Sequence, residues 1–326
     1  MKALQLNAFG DPVESIGLVE LPEPDGPGDG EALVQLEYAP IHPSELLMVR
    51  GMYGVRPALP FGLGQEGVGI VLSVGSGVRN IAVGDRVSMP LDSATWRERV
   101  VLPAGGLVAV PIDADPRQLA MLRSNPPTAA LLLSQYVDLQ PGEWVIQNAG
   151  NSGVGRCVSA FARERGLKVV SVVRRPELVA ELTAAGADAV VVDQPRLSKA
   201  VAEATGGAKL RLALDGVGGE STASIASCLA PEGTVVAYSG ISGKLAQISP
   251  LNVIFRDVSL RGFWLEHPKF QGHALIGPAV ALAARLIAEG KLHTPIVAEF
   301  NLDEAKLALA RAQSGGKVLF RIHPST

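Results

Sequence analysis

The sequence predicts an α/β chain in two parts: a β-rich first third, then alternating strands and helices that build a parallel sheet covered on both faces. Three observations carry this. Before about residue 115, short runs rich in β-branched or alternating residues lie between Gly, Pro and Asp clusters. After it, short apolar strands alternate with helical segments, the signature of βαβ units. Within that second part, "QNAGNSGVG" (147–155) packs glycines and asparagines into one turn between a strand and a helix.

In chain order, "KALQL", "EALVQLEYAP", "EGVGIVLSVG", "DRVSMPL" and "RERVVLP" read as strands, punctuated by "DGPGDG", "GSGV" and "VGD". Closely spaced strands of this kind form a small barrel or a distorted sheet. "PRQLAMLRSNPPTAALLLSQYV" reads as a helix, a Pro-interrupted turn and a second helix. Then "WVIQNA", "KVVSVVR", "AVVVD", "LRLALDGVG" and "GTVVAYSG" are strands. The helical segments "GVGRCVSAFARERG", "PELVAELTAAG", "SKAVAEATGG" and "ESTASIASCLA" separate them. The tail brings a helix, "IGPAVALAARLIAEGK", and a strand, "KVLFRI", so far from its partners that the chain is expected to return to the first domain.

Composition bounds the function. Of 326 residues, 47% are hydrophobic and 19% charged, which supports extensive cores and excludes a disordered polyelectrolyte. Aromatics are only 5%, so the cores are Ala, Val and Leu, as in buried parallel strands. A net charge of -3 without a long basic run gives no nucleic-acid footprint. No apolar run reaches about 18 residues, so no membrane partner is expected, and "MKALQLNAFG" alternates like a strand rather than a secretory signal. A cytoplasmic protein with two buried free thiols, Cys157 and Cys228, follows as the expectation.

The glycine turn has the right neighbours for a dinucleotide: a strand before it, a helix after it, and "KVVSVV" about 20 residues on. Gly150, Gly153 and Gly155 give G-x-x-G-x-G rather than G-x-G-x-x-G, so a plain structural turn stays open at this point. Where a carboxylate would hydrogen-bond the ribose of NAD, the chain has Arg174 and Arg175. A guanidinium matches a phosphate with two donors, which points to NADPH; a solvated pair at a strand end is the alternative.

Four stretches, "APIHPSELLMVRGMYG", "VIQNAGNSGVG", "LALDGVGG" and "LRGFWL", carry a resemblance that spans nearly the whole chain. The chain resembles the medium-chain dehydrogenase/reductase superfamily, and within it the 2-enoyl thioester reductases and their quinone oxidoreductase-like relatives. The resemblance implies a Rossmann doubly wound parallel sheet plus a GroES-like β-barrel catalytic domain. It places the catalytic domain at 1–118, the NADP-binding domain at 119–262 and the return to the catalytic domain at 263–326. Zinc-dependent members carry a cysteine where this chain has His42 and a histidine near Gln65, beside Glu66. Only His42 and Glu66 are ligand types here, so no metal is expected.

Without a metal, reduction of an activated C=C bond is the easier chemistry to arrange. Hydride goes to Cβ, enolate charge on the thioester oxygen meets preorganised donors, and a proton goes to Cα. The resemblance implies that Tyr53 is the donor or substrate orienter, packing on Pro57 or Pro60 being the alternative. It implies that Phe263 flanks the nicotinamide and that Trp264 lines the acyl pocket, with core packing as the alternative. It assigns cofactor contacts to Asn125 and Thr128, to Asn151, Ser152, Gly153 and Val154, and to Tyr238, Ser239, Gly240 and Ile241. Lys317 joins them, or is a solvated lysine at a strand start. Relatives commonly have an aromatic where this chain has Ala130. His267, Lys269 and His273 could meet phosphates of coenzyme A or a carrier-protein arm, or simply face water.

The function so implied is NADPH-dependent reduction of a trans-2-enoyl thioester, with a small-molecule substrate, an acyl carrier protein as a possible partner, and a homodimer joined through edge strands. An NADPH:quinone or enone oxidoreductase is the enzymatic alternative, and an NADPH-binding protein with weak catalysis the non-enzymatic one.

Overall fold

The computed structural model describes residues 1–323. The chain forms two compact units, one from Met1–Ser124 with Val280–Thr326, the other from Asn125–Ala279. The units divide at 124/125 and 279/280. These divisions have local causes. Gln118 exchanges hydrogen bonds with the Thr294 backbone at 3.0 and 2.8 Å, and Arg123 bonds the Ser88 carbonyl at 3.0 Å, so 119–124 stays with the first unit. Phe263 packs on Phe270 with ring centroids 5.0 Å apart, and Lys269 stands 5.4 Å from the Tyr136 ring, which holds 263–279 in the second.

The first unit is organised by one long strand, Glu31–Ile41. Lys317–Arg321, Val68–Val74 and Arg99–Pro103 all pair with it antiparallel, in a seven-stranded sheet. Register shifts at Leu33/Val34 and Leu36/Tyr38 bend the strand, so its two halves serve different partners. Ala32, Val34 and Leu36 fill one core with Val71 and Val87, whereas Ala39 and Ile41 fill another with Leu4, Trp96 and Phe320. The alternation visible in "EALVQL" therefore gives way to burial on both faces. Glu37, on the same strand, is fully buried and takes Arg86 through Nε at 2.6 Å and Nη2 at 3.0 Å. Such a fork-on-carboxylate pair leaves neither charge alone in the interior. A smaller sheet joins Ile16–Glu20, Lys2–Leu6 and Phe61–Gly62.

The second unit is a six-stranded parallel sheet. Its order is Ala189–Val192, Lys168–Val173, Trp144–Asn148, Leu210–Asp215, Thr234–Ala237, Ser259–Gly262. By position in the chain this is 3-2-1-4-5-6, the doubly wound order, whose direction reverses between Trp144–Asn148 and Leu210–Asp215. Ile146, Val170, Val172, Ala213 and Val235 fill the core with Val201 and Ile225 from the covering helices. Ser259–Gly262, not foreseen as a strand, is exposed at the sheet edge. Among the described residues, no helix is long and apolar enough to cross a membrane.

Candidate active site

Ligands of doubly wound sheets bind beyond the carboxyl ends of the strands, where the order reverses. Both strands at that reversal end in a buried polar residue, Asn148 and Asp215. Asn148 Nδ2 donates to Asp215 Oδ1 at 2.6 Å, while its Oδ1 accepts the Gly216 N–H at 2.7 Å. Asp215 also accepts from the Val217 and Gly218 N–H groups at 2.9 and 3.0 Å and from the Thr222 hydroxyl at 2.5 Å. The "DGVG" turn is thereby fixed against the end of the neighbouring strand.

The glycine turn follows Asn148. Ala149 takes φ 51°, a left-handed conformation costly for a residue with a Cβ, and the helix Gly153–Glu164 starts four residues later. Ser152 is the N-cap, its Oγ accepting the Gly155 N–H at 3.1 Å. The remaining first-turn N–H groups, those of Gly153 and Val154, have no intrahelical acceptor and suit a phosphate. The glycines are required by packing. A Cβ on Gly150 would meet Ser171 at 2.6 Å, one on Gly155 the Ala149 carbonyl at 2.6 Å, and one on Gly153 the Asn125 amide at 2.5 Å.

Several predicted contacts gather at this turn. Asn125 and Thr128 are buried on the helix Asn125–Ser134, with the Asn125 amide over Gly153. Asn151, Ser152 and Val154 are half-buried. The segment from Tyr238 runs along the "DGVG" turn, Tyr238 N–H bonding the Asp215 carbonyl at 3.0 Å and Ser242 N–H the Val217 carbonyl at 3.0 Å. The Tyr238 hydroxyl is covered, lies beside Ser152, and is pushed above its usual pKa by burial. A covered hydroxyl without a partner beside open helix N–H groups fits a cofactor phosphate or amide that would supply one. Ser239, Gly240 and Ile241 are exposed beyond it. Arg174 and Arg175 are exposed after Val173, Arg175 lying 3.8 Å from Glu177 in a loose surface pair. These residues fit a dinucleotide with a 2′-phosphate.

Other predicted residues lie elsewhere in their units. Phe263 is buried and Trp264 half-buried, just past the edge strand. His267 and His273 each accept a backbone N–H two residues on, from Lys269 and Leu275 at 3.2 Å, and Lys269 lies 4.5 Å from the Phe270 ring. All three thus have local structural partners. In the first unit, Tyr53 is half-buried in the loop after the helix Pro43–Val49.

Lys317 is no solvated strand-end lysine. The pairing Val318↔Ile41 puts it across from His42, and its Nζ stands 3.3 Å from His42 Nδ1. His42 Nε2 lies 2.6 Å from Glu66 Oε1, and Glu66 Oε2 accepts the Arg123 and Ser124 N–H groups at 2.6 and 3.2 Å. Glu45, also buried, accepts the His42 and Gln65 N–H groups at 2.8 Å, and burial pushes its pKa up to about 8. Burial also lowers the pKa of His42 and of Lys317. Sequence reasoning missed the joining of this cluster and the Asn148–Asp215 bond, although an acid or amide closing an apolar strand was a legible signal.

The fold and cofactor turn define a nicotinamide-dependent oxidoreductase of the two-domain dehydrogenase class. The alcohol dehydrogenase GroES-like domain model matches residues 28–111 and the zinc-binding dehydrogenase model residues 153–276. The mitochondrial enoyl-[acyl-carrier-protein] reductase of Rattus norvegicus is 37% identical over 320 residues, covering 95% of this chain and 84% of that one. The Etr1p/NADP/crotonyl-CoA complex superposes with TM-score 0.86 at 26% identity, over 98% of this chain and 99% of that one. A Bacillus thuringiensis protein assigned to the NADPH:quinone reductases follows with TM-score 0.84, 27% identity and 98% of each chain. The chain belongs to the medium-chain dehydrogenase/reductase superfamily, in its enoyl thioester reductase branch.

The zinc in one model's description does not fit this chain. Both His42 ring nitrogens and both Glu66 oxygens are engaged within the protein, and an ammonium group stands in the cluster. Among the described residues, no group of three or more His, Cys, Asp or Glu could hold a metal ion.

Proposed function

We propose that this protein is an NADPH-dependent 2-enoyl thioester reductase. The observation that carries the reading is the 37% identity to an enoyl-[acyl-carrier-protein] reductase across 95% of the chain. NADPH, when bound, supplies the hydride that goes to Cβ. The N–H groups of Gly153 and Val154 with the Asn151 and Ser152 segment hold the pyrophosphate, and Arg174 and Arg175 hold the 2′-phosphate. Asn125, Thr128, Tyr238, Ser239, Gly240, Ile241, Phe263 and Lys317 orient the rest of the cofactor. Trp264 offers an apolar wall with one N–H to the acyl chain. As hydride reaches Cβ, enolate charge grows on the thioester oxygen. Tyr53, uncharged at rest, donates its hydroxyl proton to Cα or orients the thioester for that transfer. Solvent then returns the proton to Tyr53. Coenzyme A and carrier-protein thioesters present the same reacting group, and both belong to the proposal.

The proposal includes a homodimer. The edge strand Ser259–Gly262 pairs on one side with Thr234–Ala237. Beside it in sequence, Leu251, Ile254 and Phe255 are 64%, 70% and 76% exposed on one short helix, a density of bare apolar side chains that a monomer rarely keeps.

The test follows NADPH loss with crotonyl-CoA, a longer 2-enoyl-CoA and a quinone. Preference for the thioesters, with Tyr53→Phe losing most of that activity, is the expected result. Preference for the quinone with Tyr53→Phe unimpaired on thioesters selects the quinone reductase reading, which the Bacillus thuringiensis likeness keeps in view. Tight NADPH binding with negligible turnover on every acceptor selects a binding protein.

A further inference from the structure

With Glu66 a carboxylate and Lys317 an ammonium, the Lys317–His42–Glu66 line has one consistent proton arrangement. An ionised carboxylate only accepts, so the 2.6 Å contact to Glu66 Oε1 makes His42 Nε2 the N–H donor. In the neutral ring Nδ1 is then a bare lone pair, and an ammonium 3.3 Å away donates to it. A protonated His42 would instead turn an N–H toward Lys317; burial and the Lys317 charge both hold its pKa down. One of the three Lys317 N–H bonds is used on His42, leaving two for a ligand oxygen.

The three residues come from separate segments. His42 caps the helix Pro43–Val49, Glu66 precedes the strand Val68–Val74, and Lys317 opens the strand Lys317–Arg321. Glu66 is itself clamped by the Arg123 and Ser124 backbone. The charged or titratable groups facing Lys317 are therefore His42, Glu66 and the buried Glu45.

We propose that His42 and Glu66 are positioning residues for Lys317: the imidazole lone pair fixes where the ammonium stands, and the clamped carboxylate behind it selects the tautomer and keeps Lys317 charged toward the cofactor. The inference rests on the assignment of Lys317 as a cofactor contact, not on which acceptor is reduced.

The test reads the NADPH dissociation constant by fluorescence on the full chain, which is independent of the acceptor. Lys317→Met removes the ammonium alone and His42→Leu removes both ring contacts; each is expected to weaken binding about tenfold or more, as for a hydrogen bond to a charged group. The double variant is expected to be no weaker than Lys317→Met, and His42→Asn, which restores an acceptor toward Lys317, to recover most of the loss. A second readout is pH. NADPH affinity falls as pH rises through the Lys317 pKa, and Glu66→Gln moves that alkaline limb to lower pH because the carboxylate no longer favours the charged amine. A purely structural role would leave the limb in place. Unchanged affinity in Lys317→Met, an equal penalty for His42→Leu in the Lys317→Met background, or an unmoved limb in Glu66→Gln each overturns the proposal. The enoyl reductase reading fails separately, on the acceptor panel with the unaltered protein.

Discussion

Asn148 Nδ2 lies 2.6 Å from Asp215 Oδ1, and with the Gly216 N–H donating to Asn148 Oδ1 at 2.7 Å this bond ties together the ends of the two strands between which the sheet reverses its order. Both residues are buried. Asn148→Leu strips one donor from Asp215 and the acceptor from the Gly216 N–H, an expected cost of about 2–3 kcal/mol. Asn148→Asp is sharper, because two carboxylates at that distance must share a proton, so its stability deficit should grow as pH rises from 4 to 7. Urea unfolding across that range checks both variants. A pH-independent Asn148→Asp deficit would mean that the two side chains separate.

Arg174 and Arg175 are exposed and, apart from the loose Arg175–Glu177 contact, free to close on a phosphate. Changing both to Ala should erase the preference for NADPH over NADH, a loss of about 10–100-fold in kcat/KM for NADPH and little for NADH. Because the contacts are made near water, the wild-type preference should also shrink with added salt. An unchanged ratio in the double variant would place 2′-phosphate recognition elsewhere.

How far the sequence was readable depended on whether a feature was local. The βα alternation predicted five of the six strands of the parallel sheet, because buried parallel strands are short apolar runs. Ser259–Gly262 escaped because an exposed edge strand containing Arg261 has no apolar period. The glycine turn and the arginine pair were legible because each is contiguous. The His42–Lys317 contact was not: 275 residues separate the two, and only the antiparallel register of the last strand on Glu31–Ile41 brings them together. Lys317 read as a cofactor contact or a solvated strand end, and the structure rules out the second through its partner.

Ser152 links stability to binding at the turn. Its Oγ caps the helix through the Gly155 N–H, and the Tyr238 hydroxyl is its neighbour. Ser152→Ala should lower stability by about 1 kcal/mol and also weaken NADPH binding, since an uncapped first turn presents its phosphate-facing N–H groups less rigidly. Ser152→Gly should cost only a few tenths of a kcal/mol in stability. Calorimetry with and without NADPH separates the effects. A loss of stability with no change in affinity would confine Ser152 to capping.

Glu45 gives a pH dependence with a definite sign. Burial pushes its pKa up to about 8 from an ordinary 4.5, against the His42 and Gln65 N–H groups and Lys317, which pull it down. Between those two values the folded protein holds a proton that the unfolded chain has released, so stability must fall as pH rises across the window. His42, whose pKa is lowered from about 6.5, acts oppositely: its contribution is present above that value and lost below it. Above pH 6.5 the His42 contribution no longer changes, so from pH 6.5 to 8 Glu45 adds an expected loss of about 2 kcal/mol at 1.36 kcal/mol per unit, read as the difference in slope from Glu45→Gln. Glu45→Gln should start less stable, because one of its two backbone donors meets an amide N–H instead of an oxygen, and should lose less over the same range. Thermal unfolding in overlapping buffers reads both slopes. Parallel slopes in the two proteins would mean that Glu45 stays ionised throughout and that the two N–H donors outweigh its burial.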